Sequence, residues 1–226
     1  MTALQVTHKL QGGVLAMQIN WCLKGIAESS YFGDAEAAAV LSSTGIQSSW
    51  MWTNAAMPCD QANVNAQAAL SASALDDHVN NYAKVARNTP YISLSSGCIE
   101  YAGSTRPPLT HSAMRTALRF ATKGGKQSGY LFRCWVMTGV KPAPELPGFA
   151  EEIRDLNVYA GFYPYHRQGE VTAKLVVPRR QIQWVMKFDQ NLQPVVASWT
   201  SPGNHYLSNS GFVDPDRVSN VVEVIS

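Results

Sequence analysis

A single carboxylate stands where a loop meets a predicted strand, in the motif Gln168-Gly169-Glu170. The alternating run of residues 170–177 begins at Glu170, and an aromatic loop of residues 159–165 comes directly before the motif. A carboxylate fixed at the mouth of a cleft can stabilise positive charge that develops during a reaction. The simpler interpretation is a solvated residue at the start of a strand, and for Glu170 considered alone that interpretation is favoured.

A second segment upstream strengthens the catalytic interpretation. Pro90 ends a predicted helix, and the run Tyr91-Ile92-Ser93-Leu94-Ser95 that follows it predicts a strand carrying two hydroxyl groups. The sequence therefore holds a serine strand and a carboxylate strand, and the elements between them decide whether the two meet.

The composition indicates a loop-rich α+β or mostly β protein, and because no repeat or linker interrupts the sequence we predict a single domain over residues 1–226. Hydrophobic residues make up 46% of the chain, which is enough for a proper core, and charged residues make up only 15%. The net charge of +2 permits contact with nucleic acid. It lacks the strong basic footprint of most dedicated DNA-binding domains.

Metal, membrane and export signals are absent from the sequence. The four cysteines are scattered without a C-x-x-C pair, so no zinc site is expected. No stretch approaches the roughly 18 consecutive apolar residues of a membrane helix, and no signal-peptide pattern precedes the first strand. We therefore expect a protein that makes no membrane contact and is cytoplasmic, or is exported without a cleaved signal peptide.

Strands are predicted on both sides of the motifs. Residues 3–10 alternate as a short strand, and residues 129–138 form a strand buried on at least one face. Residues 14–26 are apolar and ambiguous between helix and strand. Trp50 and Trp52 are two apart, as residues on one face of a strand are.

Helices are predicted in three places. Residues 34–41 form a short helix with Asp34 as N-cap and Gly45 closing it. The Ala-rich residues 60–86 favour one long helix or two short ones. A helix capped by Thr110 or Ser112 is predicted to run through Thr122, with Met114, Ala117, Leu118 and Ala121 as its buried side chains.

Taken in chain order, these segments resemble the ADP-ribosyltransferase superfamily, the bacterial ADP-ribosylating toxins and their relatives. The helix with Asp77-His78-Val79 leads to the Ser-x-Ser strand, then to a helix, a strand, the aromatic loop and the Gln-x-Glu motif. The His-Val helix is similar to that of the pertussis-like and pierisin-like branches. The resemblance covers roughly residues 70–190 and implies a split β-sandwich with flanking helices.

The resemblance implies a mono-ADP-ribosyltransferase that uses NAD as co-substrate and needs no metal. Glu170 would act on the nicotinamide ribose, and Gln168 would face the acceptor. Ser93 would support the nicotinamide pocket, Ser95 would brace the strand, and Tyr91 would join them in binding NAD. A fixed carboxylate near the ribose suits this reaction, because losing nicotinamide leaves an oxocarbenium-like centre.

Glutamine at position 168 narrows the range of acceptor groups that the resemblance implies. In the superfamily a glutamate there goes with arginine as acceptor, and a glutamine goes with asparagine, cysteine or guanine bases. Three aromatic residues, Phe162, Tyr163 and Tyr165, either stack on an acceptor base, at ~1–3 kcal/mol per base, or form hydrophobic cover over the pocket. We expect a toxin or effector that modifies DNA or RNA, with a protein side chain as the alternative acceptor. An antitoxin or immunity protein is an expected partner.

One family element is missing. The family places an arginine or histidine on its first strand to grip NAD, and this chain has no arginine before Arg87. His8 is the best candidate, with an ordinary exposed histidine as the alternative; His78 is likewise either functional or a helix-surface residue. Phe32 stands where a Tyr-Arg-Gly-Asp element would have arginine. A catalytically silent binding module of the same fold is therefore a second hypothesis, and a carbohydrate-active β protein is a weaker third.

Overall fold

The computed structural model describes residues 5–10, 13–54, 65, 68–96, 113–139, 149–151, 170–201 and 203–217. Strands and helices are mixed along the chain, and the predicted α+β class is confirmed in this general form. No helix among the described residues is long and apolar enough to cross a membrane.

Within these ranges most strands join one largely antiparallel sheet. Its order is β1-β2-β4-β7-β6-β5-β9-β10, with a further pairing between β2 and β5, and β3 and β8 form a small second sheet. The parallel pairing is β5 with β6. The strands are β1 (Gln5–Leu10), β2 (Gly13–Ala27), β3 (Ile46–Gln47), β4 (Tyr91–Ser95), β5 (Gly129–Gly139), β6 (Phe149–Glu151), β7 (Glu170–Lys174), β8 (Val176–Val177), β9 (Ile182–Phe188) and β10 (Tyr206–Ser208).

Strand β2 resolves the ambiguity of the apolar run at residues 14–26. It pairs with β5 from Met17 opposite Gly139 to Ala27 opposite Gly129, and with β4 where Leu23 faces Ser95. A long partner strand satisfies the backbone hydrogen bonds of β2 along its length, which decides between helix and strand.

The neighbouring strands β4 and β7 separate apolar from polar side chains. Ile92 and Leu94 of β4, with Val171 and Ala173 of β7, belong to the main hydrophobic core. Because successive side chains of a strand point to opposite faces, Ser93 and Ser95 share the other face with Glu170 and Thr172. The register places Ser93 opposite Thr172 and Ser95 opposite Glu170. The serine strand and the carboxylate strand are thus direct neighbours.

The α-helices whose bounds are described are α1 (Asp34–Ala39), α2 (Ser49–Thr53), α3 (Ala72–Asn80), α4 (Tyr82–Val85) and α5 (Ala113–Ala121). A π-helix covers Val40–Thr44, and a 3-10 helix covers Arg179–Gln181. The predicted N-cap of α1 is wrong, because Gly33 caps the helix and the Asp34 carboxylate accepts hydrogen bonds from the Tyr130 hydroxyl and Ser198 N–H, each at 2.7 Å. Gly45 does end the helical segment, after a π-helical turn.

The strand predicted around Trp50 and Trp52 is wrong. Both lie in α2, where the Ser48 hydroxyl accepts from the Met51 N–H at 3.3 Å and caps the helix. Trp50 is buried and Trp52 is 55% exposed. In α5, Ala117, Leu118 and Ala121 are buried as predicted, but Met114 is exposed.

Helix α5 approaches the sheet at two glycines. A Cβ at Gly25 of β2 would lie 2.0 Å from the Ala117 carbonyl oxygen, and a Cβ at Gly129 of β5 would lie 1.9 Å from that of Ala121. Backbone atoms cannot move aside as a flexible side chain can, so the seating of α5 depends on both glycines.

We expect Gly25→Ala to destabilise the fold by at least ~3 kcal/mol, because the methyl group would overlap the backbone of α5. Gly33→Ala is the matched control: its Cβ would meet Glu36 Oε2 at an ordinary 3.5 Å. That change should cost less than ~1 kcal/mol. Urea denaturation of both variants measures the difference, and equal losses would contradict the close approach.

Candidate functional site

Glu170 begins β7 and is 9% exposed, so it is not the solvated strand-start residue of the simpler interpretation. The Thr172 hydroxyl donates to Glu170 Oε1 at 3.2 Å, and His78 Nε2 lies 3.8 Å from the same oxygen. A buried carboxylate requires compensating partners, because desolvation penalises its charged form. The neighbouring strand and α3 supply polar groups around it.

His78 connects α3 to the serine strand. Its Nδ1 lies 2.8 Å from the Thr89 hydroxyl, and its Nε2 lies 2.9 Å from the Ser93 hydroxyl. Burial, reinforced by the positive charge of Lys24, lowers the pKa of His78 from 6.5 to about 3. The imidazole is therefore neutral at physiological pH, and its contact with Glu170 is polar rather than an ion pair. His78 is 3% exposed, so the helix-surface interpretation is wrong.

Lys24 of β2 is a candidate site residue that sequence reasoning missed. Its Nζ donates to the Ser93 carbonyl oxygen at 3.0 Å. Burial lowers the pKa of Lys24, while the negative charge of Glu170 acts in the opposite direction. The available signal was a lysine inside the apolar run of residues 14–26, since a lysine within an apolar strand needs a polar partner for its ammonium group.

These side chains surround a cavity of about 150 Å³, the inner cavity, lined by Lys24, His78, Ser93, Ser95 and Glu170 together with apolar neighbours. A second and larger cavity of about 420 Å³, the outer cavity, adjoins it. Lys24, His78 and Ser93 line both, along with Gly25, Tyr82 and Phe120. The lysine and the imidazole thus stand at the junction of the two cavities.

The arrangement suits a reaction that develops positive charge. Glu170 is a buried carboxylate that accepts a hydrogen bond from the Thr172 hydroxyl, and such a fixed charge stabilises a cationic transition state more strongly than water would. Lys24 supplies the opposite charge at the junction and could hold an anionic group of a ligand. Among the described residues no cluster of histidine, cysteine or carboxylate side chains could hold a metal ion.

The predicted NAD-binding residues are only partly brought together. Ser93 and Ser95 line the inner cavity, and Tyr91 lines the outer cavity, with its hydroxyl donating to the Ser71 carbonyl oxygen at 3.2 Å. His8 of β1 pairs with Leu15, eight residues along β2 from Leu23, or ~26 Å at 3.3 Å per residue. The structure does not bring His8 to Glu170.

Four further predicted site residues lie outside the described residues. They are the proposed acceptor-facing Gln168 and the three aromatic residues Phe162, Tyr163 and Tyr165. Their assignments remain predictions.

Comparison with known proteins establishes no family. No protein-family model and no curated protein sequence matches the chain. One solved structure, EcPltA, is similar with a TM-score of 0.42 and 13% identity, over 86% of this chain and 88% of its own. At this TM-score a shared fold is not shown, and no functional conclusion follows from the similarity.

The neutral imidazole makes the stability of the fold dependent on pH. The pKa of His78 is depressed in the folded state. The contribution of the neutral imidazole to the free energy of unfolding is therefore complete above pH 6.5 and is lost as pH falls from 6.5 towards about 3. His78→Gln should destabilise the protein at pH 7.5. The difference in free energy of unfolding between this variant and the wild type should shrink below pH 6.5 by up to about 1.4 kcal/mol per pH unit.

Urea denaturation at pH 7.5, 6.0 and 5.0 measures this deficit. The control is His205→Gln, which removes an exposed histidine and should follow the wild type at every pH. A constant difference between His78→Gln and the wild type would show that the imidazole is not held neutral by the fold.

Proposed function

We propose that this protein is a mono-ADP-ribosyltransferase of split β-sandwich type, which cleaves NAD at the bond between nicotinamide and ribose and transfers ADP-ribose to a macromolecular acceptor. The observation that carries the proposal is the buried Glu170 opposite Ser95 and next to Ser93, inside one cavity. The sequence resemblance assigned these three residues to the reaction, and they come from two distant parts of the chain.

The chemistry of the cavity agrees with this reaction. As the bond from ribose C1′ to nicotinamide breaks, its electron pair leaves with the ring, which departs as a neutral base. Positive charge remains on the ribose and resembles an oxocarbenium ion. Glu170 would stabilise that charge. Its benefit is specific to the transition state, because in bound NAD the positive charge lies on the nicotinamide ring and it develops on the ribose only as the bond breaks. No strong general acid is required for a neutral leaving group.

Lys24 takes the part that the sequence assigned to His8. It lies at the junction of the two cavities, so a dinucleotide with its reactive ribose beside Glu170 would run past the ammonium group. The diphosphate of NAD is an anion of the kind that a buried lysine needs as partner. We propose that Lys24 binds it, while His78 holds Ser93 in place through the bond to its hydroxyl.

The biological role follows from the reaction class. An enzyme that modifies macromolecules in this way would act as a toxin or effector, and its host would need an antitoxin or immunity protein. The compartment that we propose on this basis is the cytoplasm of the producing cell or of a target cell.

Glu170→Gln should lower the rate of nicotinamide release from NAD by at least ~100-fold, since removing one preorganised stabilising group costs ~2.7–4 kcal/mol. The amide keeps the shape of the carboxylate, so NAD affinity should change only a few-fold. Chromatographic assay of nicotinamide gives the rate, and Asp216→Asn, which alters an exposed carboxylate elsewhere, is the control. A wild type that binds NAD but releases no nicotinamide would instead be a silent binding module.

Lys24→Met should raise the Kd for NAD by about 10- to 150-fold, because charge-assisted hydrogen bonds contribute ~1.5–3 kcal/mol. Methionine keeps the length and apolar stem of the side chain, and circular dichroism checks that the variant is folded. Calorimetric titration with NAD measures the affinity. An unchanged Kd in a folded variant would remove Lys24 from the NAD site.

A further inference from the structure

Two carboxylates at the ends of one turn converge on the same two donor groups. Glu28 follows β2, and Asp34 begins α1. Lys187 Nζ of β9 lies 2.8 Å from Glu28 Oε1 and 3.0 Å from Asp34 Oδ1. The Tyr130 hydroxyl oxygen of β5 lies 3.0 Å and 2.7 Å from the same two carboxylate oxygens. We call these four residues the carboxylate–lysine cluster.

The residues between the two carboxylates form a tight turn that borders the outer cavity. The Ser29 N–H donates to the Phe32 carbonyl oxygen at 3.0 Å, and the Phe32 N–H donates to that of Ser29 at 3.3 Å. Tyr31 and Phe32 both line the outer cavity, and the Phe32 ring packs edge-on against the Tyr130 ring at 5.5 Å. The turn that joins the two carboxylates is therefore part of the cavity wall.

The cluster is charged at physiological pH. Burial alone would raise the pKa of Asp34, but hydrogen bonds from the Ser198 N–H, the Tyr130 hydroxyl and Lys187 outweigh it and hold that pKa below its ordinary value. Burial alone would lower the pKa of Lys187, but its hydrogen bonds to the two carboxylates outweigh it and raise that pKa. The ammonium group and the Asp34 carboxylate therefore stay ionised, and their attraction holds the turn in place.

Lys187 is the member of the cluster that can satisfy both carboxylates together. A hydroxyl group donates one hydrogen bond, so Tyr130 serves one carboxylate at a time, whereas an ammonium group donates three. Without Lys187, two like charges would face each other at the ends of the turn and repel. Neither Glu28 nor Asp34 is among the described residues that line the two cavities. The cluster can therefore reach a ligand in the outer cavity only through the turn.

We propose that Lys187 is a positioning residue, which holds Tyr31 and Phe32 in the wall of the outer cavity, where they meet the adenosine half of NAD. This inference rests on the proposed function: with the reactive ribose beside Glu170, the dinucleotide runs past Lys24 into the outer cavity. A wall that is in place before the ligand arrives binds it more tightly, because no loop has to be ordered on binding.

The test compares two ligands that share the reactive half. Nicotinamide mononucleotide contains the nicotinamide, its ribose and one phosphate, and it lacks the adenosine half of NAD. Lys187→Met should raise the Kd for NAD by about 2- to 12-fold, the effect of losing one aromatic contact, and leave the Kd for the mononucleotide unchanged. Calorimetric titration measures both. A purely structural role would weaken both ligands or neither, and either result would overturn the inference.

Two further variants control this comparison. Lys126→Met makes the same change at an exposed lysine and should alter neither Kd. Tyr130→Phe removes only the hydroxyl group and keeps the ring beside Phe32. It should weaken NAD selectively, by a smaller factor than Lys187→Met, and it decides the question if Lys187→Met does not fold.

A double-mutant cycle tests whether Lys187 acts through the turn. Lys187→Met and Tyr31→Ala together should raise the Kd for NAD by less than the product of their single effects, because both remove the same contact. Lys187→Met and Trp52→Ala should multiply, because Trp52 lines the outer cavity from α2, a separate element. A full product for the pair with Tyr31→Ala would contradict the positioning role.

Hydrogen exchange separates this inference from the proposed function. Without any ligand, the backbone amides of residues 28–34 should exchange faster in Lys187→Met than in the wild type, while those of α5 keep their rates. Unchanged exchange in the turn would reject the positioning role. A wild type that binds neither nucleotide and releases no nicotinamide would reject the transferase, and the exchange result then decides whether the cluster holds this wall of the cavity.

Discussion

The carboxylate of Glu170 and the ammonium group of Lys24 are held out of bulk water on either side of strand β4, and the other polar groups of the site are arranged around them. Lys24 reaches the Ser93 backbone from β2, and Glu170 stands opposite Ser95 from β7. Each charge taken out of water costs several kcal/mol unless something compensates it. The Ser93 carbonyl oxygen of β4 accepts a hydrogen bond from the lysine, and the Thr172 hydroxyl of β7 donates one to the carboxylate. Removing either charge would leave the other poorly compensated in the same cavity.

The alternation of β4 and β7 explains why this polar cluster coexists with a continuous core. One face of both strands is apolar and belongs to the core, and the other face carries hydroxyl groups and the carboxylate. A shift of one residue in their register would exchange the two faces. The position of the site is therefore set by the same pattern that buries Ile92, Leu94, Val171 and Ala173.

Much of the site could be predicted from sequence, because its parts lie on strands with clear patterns. Ser93, Ser95 and Glu170 were found from local runs, and their meeting follows from strand pairing. Lys24 was missed because its hydrogen bond to the Ser93 carbonyl oxygen joins residues far apart in the chain, and no local pattern shows that contact. Trp50 and Trp52 were misassigned because spacing by two also occurs in a short helix, and the Ser48 cap decided the outcome. The N-cap of α1 was assigned to Asp34 instead of Gly33 because the partners of the Asp34 carboxylate, Tyr130 and Ser198, lie far along the chain.

The close approach of α5 to the sheet has a consequence for how the two cavities open. With glycines at positions 25 and 129 beneath its backbone, α5 cannot slide or lift without losing contact with both strands. The cavity wall that carries Phe120 is therefore held in a fixed position. The facing wall includes Tyr82, which begins the four-residue α4 and is half exposed. Segments with few buried contacts open at the lowest free energy, so ligand access is governed from the side of Tyr82 while α5 keeps the geometry of the site.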